Sequence, residues 1–487
     1  MKRISTYIIF SCSLSLSLFA QENVFLKIKN HYETNGETLN AKAVDFINEN
    51  IDIHSSCYYV WKDTAGKVFD FNELEYSNFN DSRAALKQLI EKHRLRPVRK
   101  EIKDRTQMTE EILTDIIERG FNSWNKPWNK NLDFDDFCDY LLPYRVQNEP
   151  FENWQEKFST RFSTLAKNSA SDICNSANNH LKQWFFSSFA FEDRMGLHYK
   201  LSPSQMLFRK QGMCEDLCNL SVYVMRTLGL ACSIDFTPAW ATSSYAHFWC
   251  TFIDETNTHR PFEGVTGGAA DFIIYREPSK VFRMSYRSQP NALASQIPKE
   301  QIPPGHLRST NIIDVTKHYW RTTQLNSKLK KPPANGITYI AVFNALNWYP
   351  VDWCKPDREN NYTFNDLSVG AVYLPVNYEN EQRIVAGYPV LIHVDKKTTE
   401  LIPDYDNKIT INITEAPKYL KYRTGKKYSF YYWDDRWISA GTKIISDSKS
   451  LLFEEIPSNT VYLLVPEYSE RKERIFTVNK NGEIERW

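Results

Sequence analysis

The sequence has almost no excess of charge, no long apolar run after its first twenty residues, few cysteines for its 487 residues and no internal repeat or low-complexity tract. Each absence excludes something. The 60 basic and 59 acidic residues leave a formal net charge of +1. Bulk nucleic-acid binding wants a basic excess or stripe, so nucleic acid is not an expected partner. No stretch beyond residue 20 is apolar enough to span a bilayer, so no transmembrane span is expected. Nine cysteines are too sparse for a disulfide scaffold.

What is present points to an ordinary globular chain. Hydrophobic residues make up 42% and charged residues 24%, within the usual range, while aromatics stand high at 14%. The length asks for three or four domains rather than one core. The first twenty residues stand apart. Lys2 and Arg3 precede the acid-free run "YIIFSCSLSLSLFA", and Ala20-Gln21 suits cleavage. This is the anatomy of a secretory signal peptide and predicts a periplasmic, secreted or cell-surface protein. Cys12 raises a lipoprotein reading, but Phe10 fits a lipidation box poorly and Cys12 lies inside the apolar run, so plain export is preferred. The exported chain would keep cysteines 57, 138, 174, 214, 218, 232, 250 and 354. With Cys214 free, seven remain, and at least one further thiol is unpaired.

Residues 21–200 read mainly as helix. "TLNAKAVDFINENI" and "TEEILTDIIERGFNSW" place apolar residues at helical spacing behind polar starts, and "FDDFCDYLLPYR" runs into a stop at Pro143. Residues 201–287 change to one helix followed by short β-like runs. Residues 288–309 hold Pro290, Pro298, Pro303 and Pro304 and suit a linker or a long surface connection. From about 310 onward, β-branched and aromatic runs such as "ITYIAVFNALNWYPV" and "KYSFYYWDDRWISAG" alternate with turns, and Asn481-Gly482 marks a hairpin. The expected fold class is α+β. A leader (1–20) and a helical region (21–160) precede a catalytic core (161–290) and a linker (291–309). Two all-β, sandwich-like domains follow (310–395 and 396–487).

The chemistry centres on "KQGMCEDLCNLSVYVMRTLGL", residues 210–230. Glu215 and Asp216 suit the first turn of a helix, Arg226 the last, and Gly229 the C′ position. Leu217, Leu220, Val224 and Leu228 form its buried stripe. Cys214 falls at the N-terminal end, where the thiolate is stabilised over the thiol. Gly212 would let a substrate backbone approach closely. Cys218 lies one turn inward and loses most of that field. Buried free cysteine is common, however, and a nucleophile needs a base. "ACSIDF", "AHFWCTFID" and "RPFEGV" read as three antiparallel strands following the helix. His247 opens the second, on one face with Trp249 and Thr251, and the third brings Glu263 back toward it. A carboxylate there would fix the imidazole tautomer and leave the other nitrogen for Cys214. Asp254 is the rival acid, at the turn and on the opposite parity.

The order "GMCEDL", "MRTLGLACSIDFTPAW", "AHFWCTF", "PFEG" resembles the transglutaminase-like superfamily, with its papain-related core and thiol nucleophile. The resemblance implies Cys214 as nucleophile and His247 as base. The third position departs from the family, which usually has Asp where this chain offers Glu263. The Cys214 backbone N–H is a natural oxyanion donor, with Gln205 or Gln211 as candidates for a second. The activity implied is acyl transfer through a thioester on peptide or carboxamide bonds. Hydrolysis is favoured over transamidation, because bacterial members of the family include peptidases and amidases. No cofactor or metal is required. Cys214, Cys218, Cys232, His247 and Cys250 cluster in sequence, but His247 and Cys250 point to opposite strand faces and C-x3-C is no zinc knuckle. His259 sits in a polar turn, and His180 and His198 have no obvious partners.

A second class of function stays open. "YSFYYWDDRW" carries aromatics on both strand faces. Trp433 and Trp437 would form a platform for sugar rings, in a secreted glycan- or wall-binding protein whose triad is idle, although packing against a neighbouring domain explains such faces more often. The candidate partners are therefore a peptide, protein or cell-wall polymer substrate and a glycan.

Overall fold

The computed structural model describes residues 24–188, 200–270, 272–417, 419–446 and 449–487. The expected leader, its Cys12, the Ala20–Gln21 junction and His198 lie outside the described residues. The class is α+β, and the C-terminal part is built of antiparallel sheets. Two compact units interleave along the chain. The first takes Met1–Asp235, Phe248–Phe272 and Met284–Ser288; the second takes Phe236–His247, Ile273–Arg283 and Gln289–Trp487.

In the first unit the helical periodicity is realised. Helices run over 24–34, Thr38–Asn50 and Glu110–Trp124. The last starts at Thr109, whose hydroxyl accepts from the Ile112 N–H at 3.3 Å. Asp133 caps the Phe134–Asp136 turn in the same way, and the helix passes into a π turn, Phe137–Leu141, before Pro143. Val44, Ile47, Leu113, Ile117 and Phe137 form one core here. Within this mainly helical region, strands interrupt the helices between residues 55 and 103. There Ser55–Lys62 pairs antiparallel with Val68–Phe69 and with Arg96–Lys103. The strand "RPVRKEIK" is exposed on nearly every residue, so it carries no period-two apolar signal.

His54 is buried against this sheet, its Nε2 2.9 Å from the Tyr286 carbonyl. Burial, helped by the Arg145 charge and opposed by that carbonyl, lowers its pKa from 6.5 to about 3. The folded state therefore stays unprotonated where the unfolded imidazole takes up a proton. The stability this group confers is complete above pH 6.5 and is lost as pH falls toward 3, at about 1.4 kcal/mol per pH unit. Urea midpoints should show wild type losing about 2 kcal/mol more than His54→Gln between pH 7 and pH 5. Parallel pH dependence of the two proteins would disprove the assignment.

A second core in this unit surrounds the helix Cys214–Thr227. The expected stripe of Leu217, Leu220, Val224 and Leu228 is buried, but so is every residue from 216 to 226. The helix is central rather than half-solvated. Arg226, read from sequence as a cation at the negative end of the helix, is instead an interior strut. Its guanidinium donates to the carbonyls of Tyr140, Pro143, Arg145 and Cys232 at 2.7–3.0 Å. Burial pulls its pKa down to about 10. Gly229 ends the helix at φ +81°, as its C′ position requires, and Leu230 N–H donates to the Met225 carbonyl.

In the second unit, one antiparallel sheet orders Asn347–Cys354, Thr338–Asn344, Ala371–Glu379, Val390–Ile392 and Thr398–Glu400. Another orders Trp437–Ile444, Lys427–Trp433, Tyr462–Pro466, Ile475–Val478 and Ile484–Arg486. The hairpin at Asn481-Gly482 is present, with Gly482 at φ +80°. The expected separation into β domains at 310–395 and 396–487 is not kept. Tyr339, Val372 and Leu374 share one core with Trp433, Leu463 and Ile475. Nor is 291–309 a free linker. Its prolines prevent a strand ladder, but Leu293, Ile302 and Leu307 are buried in that same core, through three short 3-10 turns.

Candidate functional site

Cys214 is the first residue of its helix, directly after Met213 in extended conformation. A carboxylate stands where the dipole favours one. Asp216 is buried at the third helical position and accepts from the Met213 N–H at 2.8 Å. This closes the entry to the helix and explains Gly212. A Cβ at Gly212 would lie 2.5 Å from Asp216 Cβ and 2.7 Å from its Oδ2. The missing side chain makes room for the cap, not for a substrate backbone as the sequence suggested. Gln211–Gly212 also pairs in parallel with Phe186–Ser187, which holds the residues just before the thiol. Glu215 forms an ion pair with Lys200.

All eight described cysteines are free thiols. Cys214 and Cys354 are half-buried and the other six are buried. Cys218 is the informative contrast. Burial pushes its thiol up, with further contributions from the charges of Glu263 and Glu215, against a hydrogen bond from Cys250. Cys250 is raised for the same first reason and aims its Sγ at the Cys218 carbonyl at 3.6 Å. One helical turn thus separates an inert interior thiol from one at the helix start that solvent reaches.

The three strands expected after the helix are Cys232–Thr237, His247–Ile253 and His259–Phe262. The last two pair antiparallel, with Cys250 opposite Phe262 and Ile253 opposite His259. Glu263 follows at once, and the next residue locks it in place. A Cβ on Gly264 would come within 3.0 Å of Cys218 Cα and N and of the Leu217 carbonyl. The turn carrying Glu263 therefore lies on the backbone of the first turn of the Cys214 helix, a close approach that only glycine permits. Asn178 supports it from below, donating to the Gly267 carbonyl at 2.5 Å and accepting from the Val265 N–H at 3.2 Å. Sequence reasoning passed over Gly264 and Asn178, although "EG" directly after a strand was visible.

The rival acid has another task. Asp254 Oδ1 accepts from Thr256 N and Oγ1 and from Thr258 N, and Oδ2 accepts from Arg260 Nε at 2.6 Å. Although burial acts to raise it, these donors hold its pKa at about 2. It is the clasp of its own turn. Gln205 is likewise committed. It forms a capping box with Ser202 at the start of Pro203–Arg209, and its Nε2 donates to Glu73 at 2.7 Å. This removes the reason for choosing it as an oxyanion donor.

His247 opens its strand half-buried. It stacks on Trp240, with ring centroids 6.0 Å apart and planes at 24°, and both residues belong to the second unit. The stretch between them is held by Trp240 N–H donating to the Tyr245 carbonyl.

The tryptophan platform is overturned. Trp433 is buried, edge-on to Trp437 at 4.9 Å and to Trp348 at 5.4 Å, and Trp437 packs on Phe343 at 5.7 Å. Tyr428 and Phe430, on the other face, enter a separate core with Phe453 and Tyr462. With Trp433 buried in this packing, it cannot join Trp437 in an exposed platform, and packing accounts for aromatics on both faces of the strand.

No helix among the described residues is long and apolar enough to cross a membrane. Residues 162–263 match the family model described as the transglutaminase-like superfamily. The matched stretch contains Cys214, His247 and Glu263 and ends on the last of them. Among solved structures, red sea bream transglutaminase aligns at 8% identity with a TM-score of 0.24, covering 89% of this chain and 77% of that one. No curated protein matches.

Proposed function

We propose that the transglutaminase-like stretch makes this protein a cysteine acyl-transfer enzyme. Cys214 would be the nucleophile, His247 the base and Glu263 the residue that orients the imidazole. The observation that carries the reading is the family match over 162–263, which spans all three residues and starts a buried helix on a solvent-reached thiol. In the proposed reaction, Cys214 Sγ attacks the carbonyl carbon of a peptide or carboxamide. The Cys214 N–H at the helix start stabilises the oxyanion. The C–N bond breaks, and the amine leaves with the proton that His247 took from the thiol. Water then adds to the thioester, giving a proton to His247, and the C–S bond breaks to release a carboxylic acid and the thiol. Hydrolysis is favoured over transamidation because Cys214 is only half-buried, within reach of water. Export rests on the leader sequence alone.

Mass spectrometry after treatment with an electrophilic amide probe tests the nucleophile. One adduct at Cys214 is expected, with Cys218 and Cys250 unlabelled in the folded protein. Adducts at buried thiols but none at Cys214 would refute the reading.

A further inference from the structure

Lys200 directly precedes a stretch that is firmly held in the first unit. Leu201 is buried in the core that also takes Met206, Leu217 and Leu220. Ser202 caps the short helix Pro203–Arg209, and Arg209 at its end is tied to the buried Glu73 at 2.8 and 2.9 Å. The lysine side chain therefore leaves from a backbone that cannot drift away from the Cys214 helix.

Its ammonium meets two groups. It forms the ion pair with Glu215, and it lies over the Phe248 ring at 5.9 Å. The two contacts join the first turn of the Cys214–Thr227 helix to the second residue of the strand His247–Ile253. The side chains of the pair are only 22% and 20% exposed, so solvent and salt screen it less than a surface pair.

The carboxylate of Glu215 stands in a place where its charge matters. The helix dipole favours acids in the first turn, and both Glu215 and Asp216 lie there. Asp216 is engaged with the Met213 N–H at 2.8 Å. Glu215 is the direct neighbour of the half-buried Cys214. Its field reaches inward as well: with the charge of Glu263 it adds to the burial that pushes the Cys218 thiol up, one turn further along. Left alone, this carboxylate would oppose negative charge on its neighbour by the same Coulomb repulsion.

We infer that Lys200 is a positioning residue for the proposed acyl transfer: it holds the Glu215 carboxylate and cancels its charge beside Cys214, so that the sulfur can become anionic. The inference rests on the reading of Cys214 as nucleophile. Lys200 acts through Glu215 and needs no contact with the substrate. A pair that served packing alone would be indifferent to the charge of an incoming reagent.

The test uses the full-length protein and follows timed alkylation of Cys214 by peptide mass spectrometry at one pH near neutrality. Iodoacetamide is the neutral reagent and iodoacetate the anionic one. In Lys200→Gln, alkylation should slow about threefold with iodoacetamide and about tenfold with iodoacetate, and the gap should narrow as salt rises. Adding Glu215→Gln to Lys200→Gln should bring both rates back to within about twofold of wild type. Lys200→Arg, which keeps the cation and can still lie on the Phe248 ring, should also stay within about twofold. Glu215→Gln alone should favour iodoacetate over iodoacetamide relative to wild type. Equal slowing with the two reagents, no recovery in the double variant, or wild-type rates in Lys200→Gln would overturn the inference and leave Cys214 standing as nucleophile. A wild-type Cys214 that neither reagent alkylates would remove both readings.

Discussion

Cys214→Ala should lose about 10³–10⁶-fold in the rate of amide hydrolysis, and His247→Ala about as much. The physical basis is that neither group works alone. A thiol without a base is mostly protonated near neutral pH, and an imidazole without a sulfur has no nucleophile to activate. Their losses therefore should not add. The double variant Cys214→Ala/His247→Ala should be no slower than the worse single one. In the proposed triad Glu263 acts through His247, so Glu263→Gln should cost less, and it should leave KM nearly unchanged while shifting the acidic limb of the kcat profile. The measurement is a progress curve with a chromogenic anilide or amide. Retention of more than a tenth of the rate by Cys214→Ala, or multiplicative losses in the double variant, would end the thioester mechanism.

The second large effect is on stability. Arg226→Ala should destabilise the first unit by about 3–5 kcal/mol. The guanidinium holds carbonyls from two places: the 140–145 segment, and Cys232 at the start of the strand that follows the helix. Without it, four carbonyls of buried residues lose their donor. Arg226→Lys should restore little, since a single ammonium cannot reach four carbonyls spread around a planar fork. Hydrogen exchange at the amides of Cys214–Thr227 reads the loss locally, and the urea midpoint reads it globally. A cost under about 1 kcal/mol would mean that water replaces the side chain, and would refute its role as a strut.

These two residues show how differently the sequence spoke. Cys214 was legible because helix ends leave local marks: acids in the first turn, glycine after the last, a cysteine at the start. The family match encloses the cysteine, the histidine and the acid that the motif order named. Arg226 was misread for the same reason. A local rule assigns a cation near a helix end to the dipole and to solvent, and nothing nearby in sequence announces that residues 140–145 will wrap around it. Gly212 was misassigned similarly, because the atom it makes room for belongs to Asp216 once the helix has formed. The strand Arg96–Lys103 escaped notice because a strand exposed on both faces has no hydrophobic period. The Trp433 platform failed because aromatic alternation reports that a strand is covered, not what covers it.

Composition, periodicity and capping by themselves determined the α+β class, the Cys214 helix with both its ends, and the three strands behind it. All of these are set by interactions within a few residues of chain. The tertiary structure alone decided which polar groups were already occupied: Asp254 and Gln205 by their own turns, Arg226 and Arg474 by distant carbonyls, Trp433 by other rings. It also decided that Gly264 must lie on the backbone beside Cys218. A buried donor or acceptor must find its partner wherever the chain brings one, and those partners lie from a few residues to more than two hundred residues away.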